Sequence, residues 1–318
     1  MGNHVDIGLC MTVKNEENRI EDCLGEIADL FADIIVFDTG STDRTVEVLQ
    51  DRFGITPLKG VLEETRCNTL ADLRNEGFAK LNTPWQMCLD ADERILAGDL
   101  KRVVGWSNEE DTHGFFSPWL TTLPGGRIVD DYKIALFRKG YGKRGLVHDN
   151  VQPSLRDTGN AAVWTDAFEI LHYPEENKLP GKDEYYAWRL DRAIQDDPDW
   201  MRYYWFRGLL LLRMGCPEEA TRDLDRAFAS RSRMFPVECL NAGMGLAGLQ
   251  ANAGDTIGAI RTVTDALHFH HAVAQDFEVV INFRIRPWFE RALEALEDGD
   301  AERVVPYTFA HGGALGGK

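Results

Sequence analysis

Residues 86–96 read QMCLDADERIL, an apolar run that reaches Leu89 and then meets Asp90, Asp92 and Glu93. Acidic side chains repel one another and are poor strand formers, so three of them at the end of a buried strand need a physical reason. Carboxylates held together tolerate one another when a cation sits between them. Mg²⁺ and Mn²⁺ take oxygen ligands and commonly bind one or two carboxylates together with substrate phosphates. The small Ala91 keeps such a turn open for a close ligand. The same four residues equally fit a solvated acidic turn capping a helix near Ala97.

The flanking sequence supplies the fold. IGLCMTV (7–13) is a continuous apolar run, the pattern of a parallel strand buried on both faces. Asn15 is placed to cap the helix that follows, with Glu16 and Glu17 in its first turn. That helix carries Ile20, Cys23, Leu24, Ile27 and Leu30 as an apolar stripe. IIVF (34–37) predicts a second strand, and Ser41 or Thr42 a cap for a helix through Val46, Val48 and Leu49. A helix with Leu70, Leu73, Phe78 and Leu81 leads through Pro84 into WQMCL (85–89). Strands alternating with helices predict a parallel sheet, whose ligands bind beyond the carboxyl ends of the strands. Thr12 to Glu16, Asp38 to Asp43 and Asp90 to Glu93 all fall at such ends. Residues 113–172 read instead as strands, GFFSPWLTTL, RIVDDYKIALFR and AVWTDAFEIL, with the glycine-rich PGG (124–126) and GYG (140–142) as turns or a mobile loop.

Four patterns occur in order: TVKNEE (12–17), FDTGSTDRT (37–45), LRNEGF (73–78) and LDADE (89–93). Together they resemble glycosyltransferase family 2, over roughly residues 5–150. The resemblance implies an α/β domain of GT-A type, Rossmann-like with a mostly parallel sheet. It also implies a nucleotide-diphosphate sugar donor, a UDP-sugar by preference, and inversion at the sugar. Carried over by position, Thr12, Lys14 and Glu16 line the nucleotide base and ribose. Asp38 bonds the base, Arg74 lies beside the nucleotide, and Asp90-Ala91-Asp92 is the Asp-x-Asp motif at the diphosphate, with Asp90 and Asp92 as ligands of Mn²⁺ or Mg²⁺. In relatives of this branch a Val-His-Glu stretch follows. Here it reads Val147-His148-Asp149, which implies His148 as a third metal ligand and Asp149 as the catalytic base. The shorter Asp departs from that pattern.

The basic loop RKGYGKR (138–144) offers Arg138, Lys143 and Arg144 as a diphosphate clamp, since guanidinium matches phosphate geometry. A solvated basic loop is the other reading. Asp130 and Asp131 rank behind Asp149 as bases, because neither lies near a recognised motif.

The C-terminal third is helical and repetitive. LDRAI (190–194) recurs as LDRAF (224–228) and more weakly as VTDAL (263–267), with Gly215 and Gly254 in step. A period near 34 residues, with Gly at the turn and Ala where helices touch, predicts tetratricopeptide-like (TPR-like) repeats. The expected organisation is a catalytic domain over 1–175, helical repeats over 176–306 and a disordered tail over 307–318. Such repeats build surfaces that bind peptides or subunits, so a peptide or protein acceptor is expected. An envelope glycan acceptor, as in lipopolysaccharide-core glucosyltransferases, is the alternative. A non-catalytic scaffold built on the repeats is a rival of another class, which the retained Asp90 and Asp92 oppose. A nucleotidyltransferase would want a phosphate-cradling glycine-rich loop after the first strand, and TVKNEE is not one. Oligomeric state is left open, homo-oligomer included.

A net charge of −17 disfavours nucleic acid and anionic membrane as partners. The longest apolar runs fall short of the ~18 residues of a membrane helix. The start, MGNHVDIGLC, lacks a basic segment followed by an apolar core, so the chain reads as cytoplasmic. The six scattered cysteines have no Cys-x-x-Cys pair and read as reduced thiols, mostly in the core.

Overall fold

The computed structural model describes residues 5–61, 70–96, 98–99, 111–174 and 181–304. The chain divides into two compact units, 1–177 and 178–318. The helix start expected near Ala97, Cys67 and the tail over 307–318 lie outside the described residues.

The first unit is built on one sheet. β1 (Val5–Val13) runs parallel to β2 (Phe31–Asp38) on one side and to β4 (Trp85–Cys88) on the other, and β3 (Leu58–Lys59) adds beyond β2. β1 is central, and Ile7, Leu9, Cys10, Met11 and Val13 are all buried, as its unbroken apolar run requires. From β4 the sheet turns antiparallel through β7 (Ile128–Arg138) and β6 (Gly114–Thr122), a long hairpin. The run over 162–171 does not form one strand. It gives β8 (Val163–Trp164) and β9 (Ile170–His172), both parallel to β6, because Thr165 to Phe168 bend away between them. Short β5 (Glu93–Arg94) closes the order β3-β2-β1-β4-β7-β6-β9-β5 by pairing antiparallel with β9. This pairing sets Glu93 opposite His172.

Two helix expectations are corrected. The stripe from Ile20 to Leu30 is broken into α1 (Ile20–Leu24) and a 3₁₀ turn, Ala28–Leu30. Asn15 does not cap α1: it has φ 57°, and its side-chain oxygen accepts the Thr42 amide at 2.7 Å. Ser41 Oγ accepts the Asn15 amide at 2.9 Å, so it bridges the loops after β1 and β2. The start of α2 (Thr45–Phe53) is served by Asp43, which accepts the Thr45 amide at 3.0 Å, and by Glu17, which accepts the Arg44 amide at 3.0 Å. These loops are thus laced together by hydrogen bonds that a single-helix reading cannot anticipate.

The helix α3 (Leu70–Lys80) lies against β1 and β2. Gly77 is what allows the close approach, since a Cβ there would stand 2.4 Å from Cys10 Sγ. Arg74, one turn earlier, is buried on the same helix. A short α4 (Gln152–Asp157) follows the basic loop.

The second unit contains α5 (Lys182–Asp196), α6 (Met201–Arg213), α7 (Pro217–Ala229), α8 (Pro236–Asn252), α9 (Thr256–Val273), α10 (Phe277–Ile281) and α11 (Ile285–Glu297). Consecutive long helices pack together from α5 through α9, and α11 packs on α9. The recurring Leu190/Ala193, Leu224/Ala227 and Val263/Ala266 fall on α5, α7 and α9, and all six are fully buried. Gly215 and Gly254 each end a helix with φ 79°, the left-handed conformation that favours glycine. Gly208 and Gly243 let α6 and α8 meet α7, where an added Cβ would stand 2.8 Å from Leu224 and 2.9 Å from Phe228. Among the described residues no helix is long and apolar enough to cross a membrane.

Gly77→Ala should destabilise the protein by ~1–3 kcal/mol through overpacking, although alanine alone would favour the helix by about 1 kcal/mol. Adding Cys10→Ala should recover part of the loss. Urea unfolding of both variants checks this, and a Gly77→Ala protein as stable as the parent would show that the α3–β1 contact can relax.

Candidate active site

The turn after β4 is held from four directions. Arg74 on α3 donates from Nη2 to Asp90 Oδ1 and from Nη1 to both oxygens of Asp149, at 2.8 and 2.9 Å. Lys143 Nζ lies 3.5 Å from Asp149 Oδ1, and its own side chain is almost fully buried. Lys133 on β7 places Nζ 2.6 Å from each Glu93 oxygen and 3.6 Å from Asp90 Oδ2. Cys23 Sγ of α1 lies 3.6 Å from the Asp90 carbonyl.

Burial alone would raise the Asp90 carboxyl, but Arg74, Lys133 and Lys143 outweigh it and hold the group well below the usual carboxylate range. Burial also opposes ionisation of Asp149, and Lys143 and Arg74 again prevail, lowering its pKa. For Lys133 burial works against the charge, while Glu93 and Asp90 push the pKa above the ordinary lysine value. Cys23 is pushed up to about 12 by burial and stays a thiol.

Asp92 has different surroundings. Its Oδ2 lies 3.4 Å from His172 Nε2, and His172 Nδ1 lies 3.0 Å from Thr121 Oγ1. The ring stacks on Trp119 with centroids 4.5 Å apart. The backbone amide of Tyr173 also donates to the Asp92 carbonyl at 2.9 Å. His172 sits 80 positions from Asp92 and belongs to none of the quoted motifs. Its signal in the sequence was only that it ends an apolar run, EIL, as Asp90 ends another.

The other expected residues are distributed more widely, and Arg138 pairs opposite Trp85, at the start of β4. Thr12 is half-buried near the end of β1, and Lys14 is exposed. Glu16 accepts from Arg19 Nη1 at 3.1 Å. The Asp38 carboxylate accepts the amides of Gly40 and Ser41 at 3.1–3.2 Å, which orders the loop after β2. Ala91 is buried within the acidic turn. His148 is exposed, with φ 53°. The expected clamp of three basic residues is divided. Only Lys143 lies beside Asp149, while Arg144 pairs with Asp157 at 2.6 Å and Arg138 donates to the Thr112 carbonyl at 2.6 Å and stacks over Trp85. Asp131 is exposed and accepts its neighbour's amide, Tyr132 N–H, at 2.8 Å.

The loop over 140–150 is tied down in this structure. Asn75 clamps the Lys143 backbone through its amide and carbonyl, at 2.7 and 2.8 Å, and Arg144 and Asn150 exchange backbone hydrogen bonds. The five described cysteines are free thiols, four of them buried.

A metal here would meet Asp92 and His172, whose Oδ2 and Nε2 lie 3.4 Å apart. Among the described residues no cluster of three or more His, Cys, Asp or Glu converges as a complete shell. Asp92 beside the imidazole of His172 is a donor pair of a kind that Mn²⁺ accepts, with water and phosphate oxygens to complete the shell. Asp90 is less available, being bound to Arg74.

SunS, a glycosyltransferase of Bacillus subtilis, is 25% identical over 214 residues, which are 65% of this chain and 50% of SunS. A TPR repeat-containing protein of Synechococcus elongatus is 30% identical over 90 residues, 28% of this chain and 21% of that protein. The chain thus spans half the length of SunS and about a fifth of the other relative. The solved structure of S. aureus TarS 1–349 in complex with UDP-GlcNAc aligns over 94% of this chain and 89% of its own, with a TM-score of 0.46 and 13% identity. The family model described as "Glycosyl transferase family 2" matches residues 9–170, half of the sequence. The chain belongs to glycosyltransferase family 2.

Proposed function

We propose that the protein is a metal-dependent, inverting glycosyltransferase that takes a UDP-linked sugar and transfers it to a peptide or protein. The observation that carries this reading is the asymmetry of the acidic turn. Asp90 is neutralised by Arg74 and Lys133, while Asp92 faces a histidine nitrogen. Two ionised carboxylates one residue apart are stable here because one is already compensated. The other is left to a ligand.

Asp92 and His172 would hold Mn²⁺ or Mg²⁺, with Asp90 beside them and His148 as a further ligand. A cation bound there stabilises the charge on the departing nucleoside diphosphate. The chain's own residues do the rest. Thr12, Lys14, Glu16 and Asp38 line the nucleotide, and Arg74 and Lys143 face the diphosphate with Arg144 at the rim. Asp149 is the base that takes the acceptor proton on a carboxylate oxygen. In the structure this carboxylate is clamped by Arg74 and Lys143, which makes it a weak base. An anionic diphosphate competes for the same guanidinium, so donor binding would raise the basicity of Asp149. The paired helices of the second unit, read as TPR-like, would carry the acceptor, a view that the partial similarity to a TPR protein supports.

Calorimetry with UDP, GDP, CDP and dTDP and their sugars, with and without Mn²⁺, tests the donor. Binding of a UDP-sugar that is lost in EDTA is expected, and Asp92→Asn or His172→Ala should weaken it by roughly 10–100-fold. Equal affinity in EDTA would overturn the metal, and absence of nucleotide binding would overturn the donor. Asp149→Asn should leave donor affinity intact and slow transfer by ~10²–10⁴. A variant with unchanged turnover would move the base elsewhere, with Asp130 or Asp131 next in line. Removal of residues 178–318 should spare donor hydrolysis and abolish transfer, and a soluble truncation that still modifies the acceptor would refute the role of the helices.

The clamp also sets a pH dependence. Asp90 and Asp149 have depressed pKa values when folded, so their contribution is present above the unfolded value of about 4 and is lost as pH falls through the folded values. Arg74→Met should destabilise the protein at pH 7, by less than the ~3–5 kcal/mol of an isolated buried charge, because Lys143 stays beside Asp149 and Asp90 is 41% exposed. The gap between variant and parent should narrow as both carboxyls protonate. Thermal melts from pH 7 to pH 3 check the sign, and a gap that widens on acidification would show that Arg74 is not their main support.

A further inference from the structure

Glu93 is fully buried, yet it belongs to no motif that fixes its partners. Its carboxylate accepts four hydrogen bonds from three parts of the fold. Lys133 Nζ on β7 supplies two at 2.6 Å, Trp119 Nε1 on β6 one at 2.7 Å, and the Asp90 amide one at 2.9 Å. The Glu93 amide in turn donates to the Asp90 carbonyl at 3.0 Å. One side chain therefore fixes the backbone of the first acidic residue directly. It reaches the second through Trp119, whose ring stacks on His172, whose Nε2 faces Asp92. Lys133 is the cation that makes a buried Glu93 carboxylate tolerable, and its ammonium also approaches Asp90.

We propose that Lys133, through its ion pair with Glu93, is a positioning residue that presets the Asp90–Asp92 turn for the metal-bound nucleoside diphosphate. The inference rests on the donor reading above. It concerns residues that touch neither sugar nor acceptor. For the metal the prediction is opposite in sign to simple electrostatics, and for the anionic nucleotide the Lys133→Met/Glu93→Gln pair, which removes no net charge, separates positioning from attraction. A bystander cation beside an acidic metal site repels the metal, so removing it should tighten binding. A positioning cation supports the geometry of the ligands, so removing it should weaken binding, on the 10–100-fold scale seen for groups behind metal ligands.

The experiment is calorimetric titration of UDP in the presence of Mn²⁺, and of Mn²⁺ in the presence of UDP, into the full-length protein. Lys133→Met should weaken both by roughly 10–100-fold. Lys133→Arg, which keeps a cation on β7, should restore most of the affinity. Because a lone buried carboxylate can unfold the variant, the pair Lys133→Met/Glu93→Gln is measured beside it. That pair leaves the pocket neutral, and its melting temperature should stay near that of the parent while binding remains weakened. Unchanged or tighter binding in a folded Lys133→Met or in the double variant would overturn the positioning role alone. Failure of the parent protein to bind UDP with Mn²⁺ would overturn the donor reading and this inference with it.

Discussion

The buried guanidinium of Arg74 is the constraint around which the first unit is arranged. Asp90 and Asp149, remote in sequence, are both bound to it, and Asp149 is buried where its charge is otherwise costly. Two like charges about 4 Å apart repel by roughly 4 kcal/mol at the dielectric of a protein surface, and a cation between them reverses that sign. Lys143 and Lys133 extend the same compensation to Asp149 and Glu93. The result is an alternation of charge across α3, the β4–β5 turn, β7 and the loop before α4. None of these elements supplies it alone.

Arg74 can occupy its position only because α3 lies close on β1. That closeness comes from Gly77 against Cys10, so a packing detail of the core determines an electrostatic detail of the site. The hydrogen-bonded loops after β1 and β2 act similarly. The side chains of Ser41, Asp43, Asn15 and Glu17 accept the amides of Asn15, Glu17, Thr42 and Arg44 and shape that edge of the sheet. Residues read from the sequence as helix caps are instead loop-to-loop bridges. Both uses answer the same need of a backbone amide for an acceptor.

What the sequence made legible follows from period and order. β1 and β4 were visible as unbroken apolar runs, and the acidic turn as the place where one of them stops. The paired helices were visible because Leu190, Leu224 and Val263 recur with an alanine three positions on, and each pair is buried. The break of the Ile20–Leu30 stripe was invisible, since apolar spacing persists through Gly25 into the 3₁₀ turn. So was the role of His172. A histidine acquires meaning here only through β9 pairing with β5, a contact of two short strands that no local pattern encodes. The Lys133–Glu93 pair was hidden for the same reason: it spans 40 residues, so Glu93 reads as one more carboxylate of the acidic turn and Lys133 as an ordinary strand lysine.

The asymmetry of the acidic turn bears on how such a site avoids self-inhibition. Were Asp90 and Asp92 both free, their repulsion would favour a collapsed turn or protonation, and a cation would have to reorganise it on arrival. With Asp90 compensated in advance, the turn keeps its shape and Asp92 alone changes partners. Preorganisation of this kind lowers the reorganisation needed at the moment of reaction. The same clamp makes Asp149 a poor base while Arg74 is bound to it. A site arranged this way stays quiet toward water until an anion competes for the guanidinium. Under the proposed donor and base, stability without donor and reactivity with it would both follow from a single arginine shared between two carboxylates.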